Sequence, residues 1–193
     1  MSGPAVFGVV GRSGSGKTSL LELLIPHLTK RGLAIGTVKH TSHGFLADRP
    51  GKDSYRLYES GAAAVALISR QQLATFTRRS DDASPDVSLD TALASLPEGL
   101  DVVLVEGFSW EPIPRFVLVP DSESPLPDHV SRGEVLGILR IPAKADGRKP
   151  SFSQAIVEAI TGEIELRVRQ GGATPPADGG ADETEADLST GGR

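Results

Sequence analysis

Val6-Phe7-Gly8-Val9-Val10 runs directly into Gly11-Arg12-Ser13-Gly14-Ser15-Gly16-Lys17-Thr18, a short apolar strand emptying into a loop of the form G-x-x-x-x-G-K-[ST]. Glycines let such a backbone curl until successive N–H groups point inward as an anion nest. In that geometry Lys17 reaches β- and γ-phosphate oxygens and the Thr18 hydroxyl can hold Mg²⁺. Gly11, Arg12, Ser13, Gly14, Ser15, Gly16, Lys17 and Thr18 are therefore the candidate phosphate-binding residues. Ser19-Leu20-Leu21-Glu22-Leu23-Leu24-Ile25 follows with helix-forming leucines, so a positive helix N-terminus would also face the phosphates. The competing reading is a plain glycine turn between strand and helix. Strand signals before the loop and helix signals after it are the context that a phosphate loop requires.

The chain has 193 residues and a net charge of −5, suited to one domain of moderate size with a real core. Cysteine is absent, which excludes a disulfide framework, a thiolate zinc site and a cysteine nucleophile. The N-terminus lacks a basic leader, and no apolar run approaches the roughly 18 to 20 residues of a membrane span. The expectation is a cytoplasmic protein without a membrane partner. The acidic balance also argues against nucleic acid, whose binding is driven by cations that neutralise phosphates. The short basic runs at Arg78-Arg79 and Arg140 to Lys149 read as solvated faces.

Downstream, the first helix is expected to reach about Lys30-Arg31 and to stop at Gly32, with Pro26 kinking rather than ending it. Leu33 to Val38 reads as a second strand, completing a βαβ unit with the loop at its first turn. Thr41 to Lys52 reads as a long functional loop, Asp53 to Ser60 as a helix, Ala63 to Ile68 as a buried strand, and Leu73 to Thr77 as a candidate partner strand for it. Val87 to Leu96 has helical spacing. Asp101-Val102-Val103-Leu104-Val105-Glu106-Gly107 is a continuous apolar run of the kind found in central parallel strands buried on both faces. Arg115 to Val119 and Glu134 to Leu139 supply two further strands. A last helix is expected from Gln154 to Ile160, stopped by Gly162, with Glu163 to Val168 as a short edge strand. From Gln170 the composition cannot offset ordering entropy, so 1–169 reads as the domain and 170–193 as a disordered acidic tail. The fold class is α/β, a P-loop NTPase-type three-layer fold with a mostly parallel central sheet.

Two further groups carry chemistry. Glu106 ends the buried strand, where phosphate-loop proteins place the carboxylate that holds Mg²⁺ directly or through water. Lys39-His40-Thr41-Ser42-His43 and then Asp48 to Asp53 emerge from the strand beside the loop. Among them Asp48 can bind metal or orient water, and Lys52 can neutralise phosphate charge. The candidate catalytic residues are Lys17 and Asp48; the candidate metal ligands are Thr18, Glu106 and Asp48. His40 and His43, with no cysteine and no third nearby histidine, fall short of the four closed ligands of structural zinc. Asparagine is absent, so the N-K-x-D box that reads guanine in many GTPases cannot be present. Ala143-Lys144-Ala145-Asp146 stands near its place, read either as a remnant or as an ordinary turn.

Taken together, G-R-S-G-S-G-K-T at Gly11 to Thr18, T-V-K-H-T at Thr37 to Thr41, D-R-P-G-K-D-S at Asp48 to Ser54 and V-E-G-F at Val105 to Phe108, with Glu111-Pro112-Ile113-Pro114 behind, resemble the molybdopterin-guanine dinucleotide biosynthesis adaptor protein B family. The resemblance spans most of residues 5 to 160. It implies a GTP-binding, usually dimeric α/β protein with weak GTPase activity. Such a protein assists the guanylyltransferase that joins GMP to molybdopterin. By that likeness Gly11 to Thr18 bind GTP phosphates, Thr18 with Glu106 or Asp48 serves Mg²⁺, and His40 to Lys52 faces the nucleotide or the partner. Family members often carry His-Asp-Phe where this chain has His43-Gly44-Phe45, which leaves Asp48 as the loop acid. Two other readings use the same loop. A small-molecule kinase would need an acceptor base, for which Asp48 or Asp53 could serve. A partition-type ATPase would need a second lysine and a glycine where this chain has Arg12 and Ser13.

Overall fold

The computed structural model describes residues 3–41, 43–46, 48–79, 87–121, 133–141 and 150–171. Five strands form one sheet: β1 (Ala5–Gly11), β2 (Ile35–Lys39), β5 (Val102–Glu106), β6 (Arg115–Pro120) and β7 (Val135–Ile141), in the order β2-β5-β1-β6-β7. Every pairing in it is parallel. The apolar run of β5 is buried at all five positions between β1 and β2, as its lack of alternation predicts. Among the described residues, β3 (Ala64–Ile68) and β4 (Leu73–Thr77) form a second, antiparallel sheet of two strands. Strand β3, expected to be buried, is exposed except at Val65, because the ribbon lies outside the main sheet.

Alternation along the strands sorts the core onto two faces. Phe7, Val9, Leu104, Phe116 and Leu118 point toward α1 (Lys17–Lys30) and α4 (Gln154–Arg169), meeting Leu20, Leu24, Leu28, Val157, Ile160 and Ile164. Val6, Val103 and Val105 point the other way, onto Leu89 of the short α3 (Leu89–Ala94) and onto Phe108 and Ile113. Helices thus cover both faces of a parallel sheet, although the second covering layer is thin. The remaining helix, α2 (Asp53–Glu59), packs beside β3.

Helix α1 passes through Pro26 unbroken. The ring removes one backbone donor, while Leu24 and Leu28 on either side stay fully buried. The C-terminal region departs from expectation. Gly162 does not stop a helix, and Glu163 to Val168 is not a strand: both lie inside the 16-residue α4. The apolar period runs on through the glycine, with Val157, Ile160, Thr161 and Ile164 all facing α1 or the sheet, and tertiary burial outweighs the roughly 1 kcal/mol propensity deficit of one glycine. Salt bridges from Arg31 to Glu158 and Glu165 join the two helices, and Arg167 ties α4 to Glu134 at the entry to β7.

Candidate functional site

The chain leaves β1 toward β2 on one side and leaves β5 toward β6 on the other. The carboxyl ends of these strands therefore border the crevice where open α/β sheets take ligands. Gly11, Gly14 and Gly16 have φ of 152°, 73° and 94°, and two of them are irreplaceable on space as well. A Cβ on Gly11 would lie 2.4 Å from the Leu118 carbonyl oxygen, and one on Gly16 would lie 2.9 Å from Pro150. Gly16 is also the residue from which α1 starts, so the helix N-terminus opens into the loop. Ser15 Oγ is buried without a hydrogen-bond partner among the described residues, an orphan polar atom that bound oxygen would satisfy.

Lys17 Nζ donates to the carbonyl oxygens of Gly11 and Arg12, each at 2.9 Å. Its charge rests on the loop itself, and partial burial lowers its pKa, with Glu106 opposing that shift and Lys39 adding to it. The Thr18 hydroxyl donates to Glu106 Oε2 at 2.8 Å. Glu106 is 8% exposed and sits in register with Val9 on one side and Lys39 on the other. That register explains the next contact: Lys39 Nζ lies 3.1 Å from Glu106 Oε1 and 3.4 Å from Thr18 Oγ1. Lys17, Thr18, Lys39 and Glu106 are one cluster of alternating charge and hydroxyl.

A divalent ion fits this donor set. Mg²⁺ is held by one or two protein oxygens plus phosphate and water rather than by an all-protein cage. Thr18 and Glu106 are such a pair, and no group of three or more His, Cys, Asp or Glu forms a cage among the described residues.

Beyond Glu106 the chain turns sharply. Gly107 has φ of 97°, and a Cβ there would meet the His40 Cβ at 2.9 Å. Phe108 takes φ of 50°, the one left-handed non-glycine among the described residues, held there by near-complete burial against Val105 and Ile113. Its ring lies 5.1 Å from His40 and 5.4 Å from Trp110, and His40 and Trp110 meet edge-on at 5.0 Å. The loop that bears these rings is tied from beneath by Arg115, which is 0% exposed. Its guanidinium donates to the carbonyls of Ser109 at 2.7 Å, Ile113 at 3.1 Å and Glu111. Burial lowers its pKa, and the nearby Glu111 carboxylate offsets part of that shift.

Not every expected residue joins this centre. Asp48 accepts from the Arg49 N–H at 2.6 Å and from the Ser54 hydroxyl, a local arrangement that holds the start of α2. Those two bonds, led by Ser54, keep its carboxyl below the ordinary range. Lys52 immediately precedes α2 and is exposed. Neither is hydrogen-bonded to the Thr18–Glu106 pair among the described residues, whereas His40 is, through its backbone N–H to the Glu106 carbonyl at 2.9 Å. Ala143 to Asp146 and the tail from residue 172 lie outside the described residues. Sequence reading placed Lys39 at the strand end beside the loop but gave it no role toward Glu106, and it missed Arg115 and Trp110. For Lys39 a signal existed, since two strands that end together place their last residues side by side.

A family model described as molybdopterin guanine dinucleotide synthesis protein B matches residues 6–139. The molybdopterin-guanine dinucleotide biosynthesis adapter protein of Haemophilus influenzae is 41% identical over 125 residues, 64% of this chain and 68% of that one. Its Escherichia coli counterpart is 41% identical over 118 residues, 61% and 67% of the two chains. Among solved structures, a crystal structure of molybdopterin-guanine biosynthesis protein B superposes with a TM-score of 0.62 at 30% identity, covering 85% of this chain and 99% of that one. A MobB homologue from Bacillus stearothermophilus gives 0.59 at 29%, covering 86% and 98%. A phosphate loop joined through Thr18 to a strand-end glutamate, in a sheet that superposes on theirs, places this chain in the MobB family, that of molybdopterin guanine dinucleotide synthesis protein B.

Proposed function

We propose that the protein is a GTP-loaded adaptor in molybdopterin-guanine dinucleotide synthesis, acting in the cytoplasm on the guanylyltransferase that joins GMP to molybdopterin. The observation that carries the nucleotide part is the Thr18–Glu106 hydrogen bond at 2.8 Å, which pairs a loop hydroxyl with a buried strand-end carboxylate. In this reading Gly11 to Thr18 bind the phosphates. Thr18 and Glu106 hold Mg²⁺, which when bound would neutralise charge between the β- and γ-phosphates. Lys17 exchanges its two carbonyl acceptors for phosphate oxygens, a stronger charge-assisted contact. Asp48 shapes the loop before α2 rather than serving the metal. No arginine finger or water-positioning glutamine accompanies the cluster among the described residues, so hydrolysis is slow, such a finger being worth about 10³ to 10⁵ in rate.

A homodimer is part of the same proposal. The β3–β4 ribbon stands apart from the main sheet with Ile68 and Leu73 side by side in register, 79% and 70% exposed. A two-stranded ribbon with open edges and apolar tips is marginal alone, and a second copy of it is the self-complementary cover. The kinase reading has less support, because the oxygens of Asp48 are engaged by Arg49 and Ser54 and Asp53 pairs with Arg56.

The direct test is a coupled assay of molybdopterin, GTP, Mg²⁺ and the guanylyltransferase. Wild-type protein should raise dinucleotide formation and Lys17→Ala should not. Equal stimulation by both, or by neither, removes the adaptor reading.

A further inference from the structure

A cavity of 540 Å³ opens on the β2 side of the cluster, between the end of β2, the segment after it, β4 and α3. Its charge runs against the composition of the chain. Acids outnumber Lys and Arg by 25 to 20 overall, yet among the described residues the lining contains Lys39 and Arg79, with the imidazoles of His40 and His43, and no Asp or Glu. Aromatic rings of Tyr58, Phe76 and Phe108 line the same cavity. Phe108 is buried, and His40 is held edge-on by it and by Trp110, so that side of the cavity is preformed.

Its position is as informative as its lining. Lys39 belongs both to the cavity and to the Thr18–Glu106 pair, the end of the site at which a metal bridges β- and γ-phosphate oxygens. In the nucleotide reading the cavity would border the terminal phosphates and share the Lys39 cation with them. Flat rings stack on aromatic faces and an anionic substituent answers the cations. The volume lies within the roughly 300 to 1,000 Å³ of small-molecule sites.

We propose that this cavity binds a planar, anionic heteroaromatic molecule of pterin size, together with the nucleotide rather than in its place. The proposal rests on the nucleotide reading for its neighbour, but not for its own occupant. Titrating the full-length protein into pterin-6-carboxylate and following the polarisation of the probe's own fluorescence tests it. The comparison ligand is uncharged 6-hydroxymethylpterin, and GTP binding is measured on the same samples. Wild-type protein should bind the carboxylate probe about fivefold or more tightly than the neutral one, and Arg79→Gln should weaken it by about fivefold, the worth of one charge-assisted contact. Phe76→Ala should weaken both probes, with thermal melting and retained GTP binding confirming that the variant is folded. Addition of Mg²⁺ and GTP should leave the probe bound. Failure of the probe to bind, binding indifferent to Arg79→Gln, or competitive displacement by GTP overturns the proposal. Probe binding by a wild-type protein that binds no GTP would instead sustain the cavity and remove the nucleotide reading.

Discussion

Single side chains set the electrostatics of the cluster, and Lys39 is the most testable of them. Its ammonium lies 3.4 Å from Thr18 Oγ1 and 3.1 Å from Glu106 Oε1, an oxygen on each of the two residues proposed to hold Mg²⁺. A metal coordinated at about 2.1 Å leaves no room for an ammonium bridging the same oxygens. Lys39→Ala should therefore lower the Mg²⁺ concentration that half-saturates the metal-dependent part of nucleotide binding by about two- to fivefold, the worth of a partly exposed ion pair. An unchanged or raised midpoint in a fluorescent-nucleotide titration would argue against that competition. Arg115 acts on structure rather than on ligand. Its removal leaves the carbonyls of Ser109, Glu111 and Ile113 without their donor and opens a cavity, so Arg115→Ala should lose on the order of 3 kcal/mol in urea unfolding. At this scale the glycine turn after β1 and the position of Glu106 at a buried strand end were legible, because motif and strand end are local signals. Asp48 was assigned by proximity in sequence, and its bond to Ser54 six residues on was not visible there. Arg115 reads as one more strand residue until the loop folds back over it.

Among the elements, the run from Val102 to Val105 could be placed at the centre of the sheet because burial on both faces erases alternation. The end of the chain could not be read the same way. Gly162 looks like a stop, and only the packing of Ile164 against α1 and the sheet tells that the helix continues. A side chain at Gly162 would meet nothing within 4 Å, and its φ is not left-handed. Gly162→Ala should therefore stabilise the protein by about 1 kcal/mol; a destabilised variant in thermal unfolding would contradict a helical glycine. Helix α4 is also fastened by Arg167, whose hydrogen bond is the main reason that the Glu134 carboxyl sits below the ordinary range. A depressed carboxylate contributes stability that is complete above the ordinary pKa of about 4 and is lost as pH falls through the lower folded-state value. Glu134→Gln should accordingly flatten the acid limb of the stability profile by lowering stability at neutral pH while leaving it nearly unchanged at the acid end, as read by urea unfolding across pH.

For the whole molecule, the β3–β4 ribbon is an exposed apolar feature away from the Thr18–Glu106 cluster, with Ile68 and Leu73 at its tip. If two copies close over it, Leu73→Glu should shift sedimentation toward the monomer and leave nucleotide affinity intact; a monomeric wild type would remove the dimer. The strands of that ribbon were readable from their β-branched and apolar runs. Its separation from the main sheet was not, since pairing partners are a tertiary choice. The claim on which everything else depends is that the Gly11–Thr18 loop and Glu106 form a site for Mg²⁺ and GTP. Calorimetric titration of wild-type protein and Lys17→Ala with GTP and with ATP, in the presence and absence of Mg²⁺, measures it most directly. Wild type should bind GTP in preference to ATP, more tightly with Mg²⁺, and Lys17→Ala should lose about tenfold or more of that affinity; undiminished binding by the variant, or a preference for ATP, would contradict it.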